Sequence, residues 1–129
     1  MIKWVRTSFW VACLAVTILS LLPVGQLPSG GVFDWWDKAQ HALGFGVLTA
    51  LGLMAYSLLS GRVVLGLLAF GAAIEFAQLA TGWRDGDWQD WLADAVGVFV
   101  VSGVWKMVRP FRIGFTLLGG TPHGPKTDL

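Results

Sequence analysis

Glu75 lies inside an apolar stretch, Val63 to Thr81, that otherwise reads as a membrane helix. A charged side chain costs roughly 2.5–3.5 kcal/mol at the bilayer centre on insertion scales, so it is kept only with a partner, a wet cavity or a task. Gln78 follows three residues later, on the same helical face. Two further groups have helical spacing. Asp37, Lys38 and His41 open an earlier apolar stretch, with Asp37 and His41 four apart. Asp87, Asp90 and Asp94, spaced by three and four, open the last one. An imidazole beside carboxylates suits acid–base chemistry: His41 as general base, with Glu75 or Asp94 as its partner. His41, Glu75, Asp90 and Asp94 are also donors for a divalent metal that activates water, and carboxylates with one His suit hard cations or Zn²⁺. Neither a compact ligand motif nor a nucleophile motif is present. No cofactor is therefore assigned, and a divalent metal is the less favoured reading.

Each residue also has a plainer role. Asp37 and Lys38 suit a helix N-terminus at the membrane interface, where an acid stabilises the positive end of the helix dipole. Asp87 and Asp90 suit capping. Glu75 and Gln78 could form a buried polar clamp, with Arg84 as ion partner. Trp35, Trp36, Trp83, Trp88 and Trp91 suit interfacial anchors.

The elements that would position these groups follow from hydropathy. The chain has 129 residues, 55% hydrophobic and 13% charged, against about 25% charged in soluble domains. That places it in the bilayer. A net charge of +1 offers no basic surface for nucleic acid. Cys13, the only cysteine, excludes an intrachain disulfide and reads as a small packing residue. The predicted fold is all-α: a four-helix transmembrane bundle over residues 1–112. Its spans run about 9–24, 39–59, 63–81 and 91–108, with Ser60-Gly61-Arg62 as a tight turn and Arg109-Pro110 ending the fourth. Residues 113–129 read as a flexible or interfacial tail. The first span lacks a small-x-small cleavage site after it and is read as a retained anchor.

Positive charge sets the orientation. Lys3, Arg6, Arg62, Lys106, Arg109, Arg112 and Lys126 fall on one side, and only Lys38 and Arg84 on the other. Both termini are thus predicted to be cytoplasmic. Every acid except Asp128 then falls on the outer side. One turn below the polar groups lie Gly44, Gly71 and Gly97, and small residues let membrane helices approach closely. The three acidic faces are expected to pack together. They would line a funnel open to the outside, with Glu75 roughly 9 Å deep at ~1.5 Å per residue. No charge occurs in the inner halves of the spans before Lys106, which argues against a path through the membrane.

Asp37-Lys38-x-x-His41, Glu75-x-x-Gln78, Arg84, Asp90 and Ala93-Asp94-x-x-Gly97 resemble, in order and spacing, the pattern of the VanZ-like family, small bacterial membrane proteins of about four spans. The resemblance covers about Asp34 to Gly103. The family often has Asn where this chain has Asp94. The resemblance implies a multi-pass protein of the bacterial cytoplasmic membrane, with a link to glycopeptide resistance. Together with the outward-facing cluster, it suggests a protein that binds or modulates the head group of a lipid or lipid-linked cell-wall precursor. Asp37, Lys38, His41, Glu75, Gln78, Arg84, Asp90 and Asp94 would form the ligand site. The alternatives are a membrane-embedded enzyme on a lipid-linked substrate, with His41, Glu75 and Asp94 as catalytic candidates, or a structural or assembly subunit.

Overall fold

The computed structural model describes residues 2–23, 31–84 and 86–118, leaving aside the side chains of 31–37, 59 and 109–118. These residues form four long helices: α1 (Ile2–Leu21), α2 (Gly31–Ala55), α3 (Ser60–Thr81) and α4 (Trp88–Leu118). Among the described residues three helices are long and apolar enough to cross a membrane: α1, α3 and the Trp88–Val108 part of α4. α2 has 25 residues, but Lys38, Gln40 and His41 lower the hydropathy of its first half. In hydrocarbon every backbone polar group needs an internal partner, which a helix supplies within one segment.

The helix boundaries differ from those expected, each for a local reason. α1 starts at Ile2 and takes Lys3 and Arg6 into its first two turns, because long basic side chains lay apolar stems along a helix while the charge reaches water. It stops at Leu21, ahead of Pro23, whose ring disfavours helix in the residue before it. α2 ends at Ala55, not Leu59, and the turn is Tyr56 with a 3₁₀ segment at Ser57–Leu59. Ser60-Gly61-Arg62 is instead the first turn of α3. Tyr56 fixes this corner: its N–H donates to Gly52 O at 2.8 Å and its ring meets Phe9 edge-on at 5.9 Å. Gly82 ends α3 as expected, in the left-handed conformation that favours glycine at a C-terminal cap (φ +73°). α4 continues through Pro110 to Leu118, so residues 113–118 of the expected tail are helical. Proline removes one helical hydrogen bond and bends a helix without always ending it. The remainder of that tail, 119–129, lies outside the described residues.

Phe9 and Cys13 of α1, Phe45 and Leu48 of α2, Leu67 and Ile74 of α3, and Val98 of α4 form the core. Cys13 is a buried, free thiol in that core, the packing role expected of it. α2 packs most extensively on α4. Their closest approach is at Gly97, where an added Cβ would strike the Ala42 carbonyl oxygen and lie 3.0 Å from Gly46 N. Gly71 likewise faces the acids, with an added Cβ 2.8 Å from Asp94 Oδ2. Gly44 does not share this face; its nearest neighbour is Val16 of α1 at 3.9 Å. Large apolar side chains such as Leu14, Leu19, Val47, Leu65, Phe76, Phe99 and Val104 point outward from all four helices. A water-soluble surface rarely carries so continuous an apolar belt.

The two ends of the bundle are chemically distinct. At one end Arg6 Nε donates to Ala55 O at 3.4 Å and lies 5.0 Å from the centre of the Tyr56 ring. Beside it an apolar cavity of about 380 Å³ opens between α1 and α3, lined by Phe9, Trp10, Leu67 and Phe70 with Arg62 at its edge. The acidic side chains gather at the opposite end.

Candidate functional site

Three helices build the acidic end. Asp87 precedes α4 and caps it: its Oδ1 accepts from Gln89 N at 2.9 Å, and its carbonyl accepts from Asp90 N at 2.9 Å. The capping role anticipated for Asp87 is therefore present, but the residue does more. Its own backbone N–H donates to Glu75 Oε2 at 2.9 Å, which ties the α3 carboxylate to the start of α4. Its other carboxylate oxygen lies 3.5 Å from Lys38 Nζ, and the same ammonium lies 3.5 Å from Asp90 Oδ1. Lys38 of α2 thus bridges two carboxylates at the head of α4.

One turn deeper, His41 Nδ1 of α2 lies 2.9 Å from Asp94 Oδ1 of α4. Asp94 is 0% exposed, Asp90 6% and Glu75 8%. The Lys38 and Asp87 side chains remain 31% and 35% exposed. The cluster therefore has a half-open rim over a buried floor, narrower than the open funnel anticipated from depth alone. Among the described residues, Glu75 Oε1 and Asp94 Oδ2 are buried without a hydrogen-bond partner. Leaving such a group unsatisfied costs about 1–3 kcal/mol, more when it is charged. Ligand atoms of His41, Glu75 and Asp90, one per helix, lie within 4.8 Å of one another.

The anticipated site residues thus divide. Lys38, His41, Glu75, Asp90 and Asp94 come together. Gln78 is buried on α3 but turns its amide toward α1, where Nε2 donates to Ser20 O at 3.0 Å. Arg84 is half-buried in the connection between α3 and α4. Asp37 is helical, with its side chain outside the described residues. Asp87, outside the expected ligand set, joins the cluster as well; the signal is its spacing, three before Asp90 and seven before Asp94, which puts it on their face. Trp91, expected as an interfacial anchor, points its indole N–H into the protein: it donates to Leu68 O at 3.0 Å and pins α4 to α3. Trp83 and Trp88 are exposed, as interfacial side chains would be.

Chemically, the arrangement offers a carboxylate-oriented imidazole, an acid with one unused oxygen, and a lysine held at the rim. With His41 neutral, Glu75, Asp87, Asp90 and Asp94 outweigh the single ammonium of Lys38, so the cluster favours a cation or a cationic group over a bare anion. No family model, no curated protein and no solved structure matches this chain.

Proposed function

We propose that this chain is a VanZ-like, four-span protein of the bacterial cytoplasmic membrane, with both termini in the cytoplasm and the acidic end facing outward. There it binds or modulates the polar head group of a lipid or lipid-linked cell-wall precursor. The observation that carries this reading is the convergence of Lys38, His41, Glu75, Asp87, Asp90 and Asp94 from three helices at one end of an otherwise apolar bundle. The half-exposed rim of Lys38 and Asp87 gives a head group a place to dock, and Arg84 in the neighbouring connection adds a second cation for phosphate. Basic residues at the opposite end, Arg6 and Arg62 among them, support the orientation.

Two experiments test it. A reporter fused to the C-terminus is expected to mark cytoplasm, and Gln89→Cys, at an exposed position beside the acidic end, to label from outside; an external C-terminus would sink the orientation. Lipids retained by the purified protein are to be identified for wild type and Lys38→Ala. Loss of a specific phosphorylated lipid from a variant that folds normally is expected, and identical lipid in both would defeat the head-group reading.

One observation favours the enzymatic alternative. Asp94 at 2.9 Å from His41 Nδ1 holds the imidazole's orientation, as a positioning carboxylate does for a general base. Product release from a lipid-linked pyrophosphate, abolished in His41→Gln, would decide for this reading.

A further inference from the structure

We infer that His41, Glu75 and Asp90 form a binding site for a divalent transition-metal cation, one ligand from each of α2, α3 and α4, with Asp94 as the outer carboxylate that orients His41. The inference rests on the acidic end being a ligand site, but not on that ligand being a lipid. The linear sequence ranks a metal low because no two of these ligands lie within one short motif. The fold supplies the proximity that the spacing lacks.

Four observations converge. The donor atoms lie within 4.8 Å of one another. Three ligands bound at ~2.1 Å sit roughly 3–3.6 Å apart around one ion, so the side chains must draw together by about 1 Å to complete the shell. Glu75 is held through Oε2 by the Asp87 N–H, which leaves Oε1, buried and without a partner among the described residues, as its ligand atom. A His41 tautomer that donates from Nδ1 to Asp94 carries its lone pair on Nε2. That carboxylate–histidine pairing is the usual second shell of a metal-bound imidazole. Finally, Glu75 and Asp90 together match the charge of a divalent ion, and a neutral imidazole adds none. One nitrogen with two carboxylates suits Zn²⁺ or Mn²⁺ better than a soft-metal site would. Three protein ligands leave positions for water or for a phosphate oxygen of a head group docked at Lys38, which answers the excess of acid that would otherwise repel it.

The test uses the full chain, purified with its affinity tag removed, stripped with chelator and then loaded separately with Zn²⁺ and Mn²⁺. Metal analysis after desalting is expected to find an equimolar ion, and the melting temperature to rise on loading. Glu75→Gln and Asp90→Asn are each expected to weaken binding about tenfold or more, and Asp94→Asn, which touches no metal, roughly 10–100-fold. Failure of the stripped wild type to bind either ion, or binding by folded Glu75→Gln and Asp90→Asn as tight as wild type, overturns the site. The two readings fail separately. Specific lipid retained by a chain that binds no ion removes the metal site alone, and ion binding without specific lipid removes the head-group reading alone.

Discussion

At one end of the bundle three helices turn carboxylates and an imidazole inward; at the other, α1 and α3 turn aromatic rings inward and hold arginines at the rim. On the four-span reading both ends face an interfacial zone, so the contrast does not come from depth. It comes from what each polar group can reach. Arg6 meets a helix-end carbonyl and a ring face while keeping its charge near water, an inexpensive arrangement worth about 0.5–1 kcal/mol at an exposed site. Asp94 has no route to water and stands on His41. Polar groups at the arginine end are explained by anchoring. Those at the acidic end are not: Ser102 Oγ and Trp105 Nε1 further along α4 are also buried without partners among the described residues, but only at the acidic end are carboxylate oxygens left so.

The sharpest way to break this contrast is to remove one side of the buried pair. His41→Ala should lower stability by roughly 3–5 kcal/mol, since it strands a buried partner; Arg6→Ala should cost less than about 1 kcal/mol. Equal losses in reversible unfolding would erase the distinction. Next come the glycines. Gly97→Ala drives a methyl group into the Ala42 backbone, whereas Gly52→Ala meets only the side chains of Val63 and Phe9. Overpacking costs about 1–3 kcal/mol, and Gly97 belongs at the top of that range, Gly52 at the bottom. The reverse order, read from melting temperatures, would mean that α2 and α4 are not locked at Gly97. A smaller effect is expected for Glu75→Gln, which keeps an acceptor for the Asp87 N–H: stability within about 1 kcal/mol of wild type, with ligand or ion binding lost. Smallest is Trp10→Phe, which removes one exposed hydrogen bond to the Tyr56 hydroxyl; a change beyond about 1 kcal/mol would show the arginine end to be as finely set as the acidic one.

The helices, the turn at Gly82 and the separation of acids from bases were legible in the chain, because hydropathy and charge are summed over many residues. His41 and Asp94 were legible as partners because each follows an acid four residues earlier, Asp37 and Asp90, on the polar part of its helix. The facing of α2 was not. Gly44 was expected on the acidic face, yet it faces α1 while Gly46 meets α4. A helix that is apolar nearly all round gives no stripe from which to read its rotation. Gln78 failed for a related reason: its spacing from Glu75 put it on the same face, but the side chain is long enough to reach Ser20 on the neighbouring helix. The run of α4 through Pro110 shows that a proline need not end a helix, so the sequence signal used for the end of the fourth span did not locate the end of α4.

The dependence of α2 on α4 has a consequence for the order in which the chain is made. Among the described residues α2 is the one long helix outside the set apolar enough to cross a membrane by length and composition, and its polar partners Asp87, Asp90 and Asp94, with the contact glycine Gly97, lie in α4 or just before it and are synthesised after α2. On the four-span reading, α1 and α3 can be committed to the membrane while α2 is still poorly housed, and only the arrival of α4 lets it settle. A nascent chain halted before Trp88 should therefore leave cysteines placed along α2 open to aqueous label, and one halted after Val108 should protect them. Protection in both would show that α2 enters without its partner.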